Sequence, residues 1–347
     1  MKVTHKKKLI ISFDYELFFG DRSGTVENTL INTTNKILDA LDKCHLKGNF
    51  FVDYLMFKYL EQNIDERSKR DLSMLKWQIH DIIKRGHRIE LHLHPHWIDA
   101  KYNNDGTWNY SNYSHYMLSS FTKDEIWQMF KEGTEYLTRL AREVDPTYKI
   151  VAFRAGGWAI QPFDKLKYAF LDNDIRIDSS LSYGSYNLKV NQYYDFRNMP
   201  FKPYYRFEDD VCKEDENGQF IEVPISSYHR TIWNMICDKV YKILGLSKNM
   251  ADGTHCRSND QNKEIHKRTL KEKLSKNIRN MMTFSQTSTP SMFLAFLSQK
   301  EGLLCVIDHP KDFSITTVPT LEMMSKLCEG ITYMDVVKIL EGDKNYE

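Results

Sequence analysis

Short apolar runs recur along this chain, separated by longer amphipathic stretches. The runs fall at residues 8–13, 48–52, 88–92, 149–154, 174–178, 220–225 and 303–308. Most are apolar at consecutive positions rather than alternate ones, the pattern of strands covered on both faces of a parallel sheet. Between them, residues 29–44 set Leu30, Ile37, Leu38 and Leu41 on one helical face, and residues 67–84 stop just before Gly86. Thr122 and Glu125 have capping-box spacing and open a helix reaching to about Glu143. Strand and helix in alternation predict an α/β fold with right-handed crossovers. Two stretches break the rhythm. Residues 182–217, rich in Tyr, Asn and Asp, predict loops or a small hairpin over one face. Residues 228–300, with a polar and charged middle at 249–273, predict a helical insertion inside a single domain spanning 1–347.

The strand ends carry the chemistry. Asp14 and Glu16 close the first run, His92 to His96 the third, Arg154 the fourth, Asp178 the fifth and His309 the seventh. In a closed barrel of parallel strands, such ends converge on one rim. Pro95 prevents plain helix between His92 and His96. Two imidazoles four apart, joined by a carboxylate from another strand, form a donor set that leaves a position open for water. Glu16 or Asp14 can be that carboxylate. His94 alternates to the other side of the strand and is read as a supporting residue. Asp14 and Glu16 share a face, so one can hold metal while the other acts as base. Arg154 follows four apolar residues and needs a carboxylate, for which Asp14 is the natural partner; a purely structural ion pair would look the same in sequence. Asp178 could orient a histidine or cap a turn. His309, followed by Pro310, is a candidate general acid.

These residues resemble the polysaccharide deacetylases, the NodB-like group of carbohydrate esterase family 4. The motifs Ser12-Phe13-Asp14-Tyr15-Glu16, Gly86 through His96, Phe153 through Trp158, Ile177 through Ser180, and Asp308-His309-Pro310 follow the family's order and span nearly the whole chain. Gly48-Asn49-Phe50-Phe51-Val52 is similar to the family's second strand. The resemblance implies a distorted (β/α)7 barrel of mostly parallel strands with a divalent metal at the rim. It implies Asp14 as catalytic base, with Glu16, His92 and His96 as metal ligands. Arg154 would pair with the base, Asp178 would tune the catalytic histidine, and His309 would be the general acid. Trp158 and Tyr15 would contact substrate. The implied metal is Zn2+ first, with Co2+, Mn2+, Ni2+ or Fe2+ also suited. Tyr15 stands where many members carry the metal-binding Asp, Leu93 replaces a Ser or Thr, and Gly156-Gly157 replace frequent prolines. These departures mark a divergent subfamily with its own substrate.

The implied activity is metal-dependent removal of an N-acetyl group from an amino sugar of a glycan or glycan precursor, by hydrolysis of a linear amide C–N bond. The alternatives are hydrolysis of a non-sugar ureide or amide bond on the same barrel, or a catalytically inactive sugar-binding module. Composition narrows the partners. The formal net charge of +1 gives no electrostatic footprint for nucleic acid. Aromatic residues make up 13% of the chain, which suits a carbohydrate cleft and a large core equally. The six cysteines are scattered without a CxxC pair, so a reducing compartment is the simpler reading. Lys6, Lys7 and Lys8 precede only about five apolar residues, fewer than the roughly 7–15 of a signal-peptide core. No run reaches the ~20 apolar residues of a membrane span. The expectation is a cytoplasmic, soluble protein of undetermined oligomeric state.

Overall fold

The computed structural model describes residues 6–254 and 279–342. One nine-stranded sheet organises it. Its strands are β1 (Lys7–Tyr15), β2 (Gly48–Asp53), β3 (Arg88–Leu93), β4 (Ala152–Ala155), β5 (Ile177–Asp178), β6 (Tyr205–Phe207), β7 (Phe220–Glu222), β8 (Leu303–Asp308) and β9 (Cys328–Gly330). The order is β6-β7-β5-β4-β3-β2-β1-β8, parallel throughout except for β6 against β7. β9 pairs with the start of β1, on the edge that β2 occupies further along. All seven predicted runs are strands of this sheet. β6 and β9, three residues each, are too short to leave a periodicity in the sequence.

The sheet is curled. Beyond β7 the chain reaches β8, where Ser226 N–H donates to the Cys305 carbonyl at 2.8 Å and Cys305 N–H donates to Ser226 Oγ at 3.0 Å. Side-chain alternation then sorts inside from outside. Ile10, Phe51, Ala152, Ile177, Ile221 and Cys305, one from each of six strands, form an apolar plug with Tyr333, Val336 and Val337. The last three come from the terminal helix (Tyr333–Leu340). Leu9, Ile11, Phe13 and Tyr15 belong instead to the larger core shared with the flanking helices. The architecture is mixed α/β with a curled, mostly parallel sheet, as the sequence predicts.

Local signals set the helices. The stretch predicted at 29–44 is a short π-helical turn, Glu27–Ile31, running into helix α1 (Asn32–Lys43). After α2 (Tyr54–Gln62), α3 (Glu66–Lys84) begins where the Asp65 carboxylate accepts the N–H groups of Arg67 and Ser68. The Thr122–Glu125 capping box is present at the start of α4 (Lys123–Arg142), and a short helix, α5 (Lys167–Asp172), follows β4. Residues 182–217 carry a hairpin, Tyr186–Lys189 against Gln192–Asp195, together with β6. Within 228–300, strand Ser227–His229 pairs with Arg279–Met281. Two helices flank that pairing, Ile232–Ile243 and Thr289–Ser298. Residues 255–278, which include most of the charged middle, lie outside the described residues.

One buried histidine ties the sheet's base together. His87 Nδ1 accepts the Gly48 N–H at 3.2 Å, so the start of β2 requires an unprotonated imidazole. Burial drives its pKa down to about 4, with Asp42 opposing. The folded pKa is therefore below the unfolded value, and the stabilisation is complete above about 6.5 and lost as pH falls toward 4. Removing this titration with His87→Gln should flatten the acid branch of the melting curve between those values. The pH-dependent part is on the order of 3 kcal/mol, read by thermal denaturation at stepped pH.

Candidate active site

The rim is built on Arg154, which is fully buried. Its Nη1 donates to Asp14 Oδ1 at 2.6 Å, its Nε to the Ser179 carbonyl at 2.7 Å, and its Nη2 to Ser12 Oγ at 2.9 Å. The guanidinium lies 4.2 Å over the Phe51 ring, on the roof of the apolar plug. Ile10, Ser12 and Asp14 alternate on β1, so the residue that places Asp14 inside also places Ser12 beneath it. Burial raises the Asp14 pKa, but Arg154, His92 and His309 pull harder and leave it below the ordinary carboxylate value. Asp14 is thus an anion at neutral pH, as a general base must be.

Two residues on, Glu16 gathers cations. Its Oε2 meets His94 Nε2 at 2.6 Å and His92 Nε2 at 2.9 Å, while its Oε1 accepts from Lys311 Nζ at 2.6 Å. Burial raises the Glu16 pKa, and Lys311 and the histidines overcome it, holding the group well below the usual range. His92 Nδ1 sits 2.7 Å from the Arg154 carbonyl, which can only accept, so Nδ1 carries a proton. Nε2 therefore points at Glu16, to which it donates in the metal-free protein, and it is the nitrogen that a metal would take once its own proton is displaced. Glu16, His92 and His94 each bring a donor atom within 4.8 Å of the others. Among the described residues, His96 has no hydrogen-bond partner at either ring nitrogen and His94 has none at Nδ1, although both rings are buried. A buried N,N,O donor set beside unpartnered imidazoles fits a divalent transition metal.

The histidine cluster differs from the sequence expectation in one respect. His92 and His96 were expected to pair, with His94 pointing away; the residues brought together with Glu16 are His92 and His94. Strand alternation ends at Leu93. The chain turns at His94 into a 3-10 turn, Pro95–Asp99, which swings His94 to the same side as His92. Asp53 anchors that turn, accepting the Trp97 indole N–H at 2.7 Å and the His94 backbone N–H at 3.3 Å. His96 packs among Phe19, Tyr110 and Tyr116. Gly156 is required opposite, because a Cβ there would stand 2.7 Å from His94 Nδ1 and 2.5 Å from the Leu93 carbonyl.

His309 Nε2 lies 3.6 Å from both Asp14 Oδ2 and Glu16 Oε1. The carboxylate at its other nitrogen is Asp312, with Oδ2 3.5 Å from Nδ1 and also accepting from Gln286. Asp178, expected in that role, is engaged elsewhere. It accepts from Ser180 Oγ at 2.7 Å and pairs in register with Glu222 on β7. Tyr15 likewise departs from the expected substrate contact. It alternates outward, is fully buried, and donates its hydroxyl to Gln78 of α3 at 2.6 Å. Trp158 does reach the rim, where with His309 it lines a cavity of about 360 Å³. The remaining wall comes largely from residues 228–300, including Tyr228, Arg230, Asn280 and Gln286. Asp308 fastens that wall, its Oδ2 accepting from the N–H groups of Phe284 and Ser285 and from Ser285 Oγ.

Lys311, Asp53 and Asp312 were missed from sequence. Asp53 had a signal, since it ends an apolar run as Asp14 does. Lys311 and Asp312 directly follow His309-Pro310 but carry no pattern of their own.

No protein-family model matches the chain, and no curated protein matches it by sequence. Solved structures do. A putative glycoside hydrolase/deacetylase from Parabacteroides distasonis aligns with TM-score 0.50 at 9% identity, over 94% of this chain and 68% of that one. A putative polysaccharide deacetylase from Mycobacterium smegmatis covers 100% of this chain and 94% of its own, at 13% identity and TM-score 0.46. A family 4 carbohydrate esterase from Streptomyces lividans, solved with acetate, covers 94% and 92% at 9% identity and TM-score 0.38. Likeness at such identities is likeness of fold. The curled, mostly parallel sheet is similar in fold to the putative glycoside hydrolase/deacetylase from Parabacteroides distasonis, and the solved structures similar to this chain also include a putative polysaccharide deacetylase and a family 4 carbohydrate esterase.

Proposed function

We propose that this protein is a metal-dependent hydrolase that removes the N-acetyl group from an amino sugar. The observation that carries the reading is one buried rim on which an anionic Asp14, the Glu16–histidine cluster and His309 converge within 3.6 Å contacts. Glu16 and His92, with His94 or His96, would hold the ion. A bound divalent metal, zinc first among them, supplies Lewis acidity for an amide carbonyl and lowers the pKa of a bound water.

The protein's own groups account for the protons. Asp14 accepts the proton of the attacking water, and the hydroxide oxygen forms the new bond to the acyl carbon. Arg154 keeps Asp14 charged until that moment. The C–N bond breaks as the sugar nitrogen takes a proton from His309, so acetate and a free amine leave. His309 Nε2, 3.6 Å from Asp14 Oδ2, is also placed to receive the proton that Asp14 has gained. Asp312 holds the opposite edge of the ring. Trp158 offers a flat apolar wall to a pyranose face, and the amides and hydroxyls of the insertion face the same 360 Å³ cavity.

The test is acetate release from N-acetylated sugars and nucleotide sugars, with and without chelator. Activity that chelation abolishes and added Zn2+ restores is expected. A chelator-insensitive hydrolysis, or sugar binding without turnover, would overturn the reading.

A further inference from the structure

The helix Ile232–Ile243 (α6) faces the wrong way for an ordinary protein surface. A surface helix normally buries an apolar stripe and shows polar residues to solvent. Here Asn234 is the helix's one buried residue. Its Nδ2 donates to the carbonyl and Oγ of Ser291, at 3.0 Å each. One turn on, Asp238 accepts from Ser288 N and Oγ and ion-pairs with Arg230. The outward side carries Trp233, Ile236, Val240, Ile243 and Leu244, a spacing of threes and fours that forms a single stripe. Trp233 is 65% exposed and Ile243 73%. The neighbouring helix Thr289–Ser298, packed against α6, adds exposed Phe293 and Leu297.

Among the described residues of this stretch of chain, the exposed charges have one sign. Between Val223 and Met250, Lys239, Lys242 and Lys248 are exposed, and the sole carboxylate is Asp238, already engaged. We propose that α6 is a membrane-surface element. It lies in the headgroup layer of a bilayer containing anionic lipid, with its apolar stripe toward the acyl chains and its lysines at the phosphates. Trp233 suits that depth, where amphipathic aromatic rings concentrate. A second copy of the chain is a poorer occupant. A two-fold interface on this face would bring Lys239 and Lys242 toward their own counterparts, and lysine is depleted from such interfaces. The position also has a use. Arg230, two residues before α6, lines the cavity beside His309, so a glycan held at a lipid surface would meet the rim directly.

Vesicle binding needs no catalysis, so its failure leaves the deacetylase reading standing, and the reverse holds too. The experiment is co-sedimentation of the full chain with phosphatidylcholine vesicles, alone or mixed with phosphatidylglycerol. Binding to the mixed vesicles, weakened by salt, is expected. The double variant Ile236→Glu, Ile243→Glu should lower partitioning by ~tenfold or more, and Lys239→Gln with Lys242→Gln and Lys248→Gln should remove the salt dependence. These side chains are exposed, so melting temperatures should not move. The proposal is overturned if the wild-type chain ignores anionic vesicles or if the Glu variants bind as well as it does. It is equally overturned if sedimentation shows a dimer that those variants break while vesicles remain unbound.

Discussion

Asp14→Asn lowers kcat for acetate release by on the order of a thousandfold, the loss expected when the group that takes a proton in the transition state is removed. The substitution is isosteric, so a loss of this size cannot be assigned to a change of shape. It does strip the buried Arg154 of its counter-charge, and breaking such a pair costs about 3–5 kcal/mol. Arg154 keeps its hydrogen bonds to the Ser179 carbonyl, Ser12 Oγ and Tyr333 Oη, which holds the side chain in place. Melting temperature and metal content, measured beside kcat, separate lost chemistry from lost fold. A companion variant gives the sign. Asp14 works deprotonated, so the rate climbs with pH through its pKa, and Arg154 is the leading group holding that pKa down. Arg154→Lys keeps a cation but loses the fork that grips Asp14 and Ser12 together. The acid limb of kcat/KM should then move to higher pH, by about one unit. A profile that stays put would mean that Asp14 is not the base.

Strand ends made most of this rim legible. Most ionisable residues that terminate a doubly buried run have no partner but the rim, and Asp14, Glu16, His92, Arg154 and His309 meet there, while Asp178 does not. The two-residue alternation that placed Asp14 inward also required Tyr15 to point outward. A motif position says nothing of that alternation, and the Tyr15 hydroxyl is with Gln78 instead. Alternation itself has a limit. It holds to Leu93 and fails at His94, because the chain leaves the sheet there. Asp312 stands at His309 where Asp178 was expected, for a different reason. Which carboxylate meets His309 is set by the turn after Pro310, whose path depends on tertiary packing rather than on local pattern. Lys311 was invisible on the same ground. A buried lysine shows in sequence only as one more charge, and its meaning comes from a carboxylate 295 positions away.

The choice between His94 and His96 carries the other large effect. His94→Gln should reduce metal content and weaken affinity by well over tenfold, as His92→Gln does, because both imidazoles face the same Glu16 oxygen. His96→Gln should retain the ion. The pH dependence of uptake adds an independent check. Burial alone would depress the His92 pKa, but Asp14, Glu16 and Asp53 lift it to about 9, so the metal-free protein holds a proton on His92 at neutral pH. An ion must displace that proton to reach Nε2. Affinity should therefore rise about tenfold per pH unit below 9, and uptake at pH 7 should release one proton into a weakly buffered solution. Metal analysis by mass spectrometry and titration calorimetry in buffers of differing ionisation enthalpy would read both. The reverse pattern, with His96 indispensable and His94 replaceable, would require the turn at 95–99 to rotate on binding. Asp53 would then have to release the Trp97 indole, and Asp53→Asn should ease that rotation instead of weakening the site.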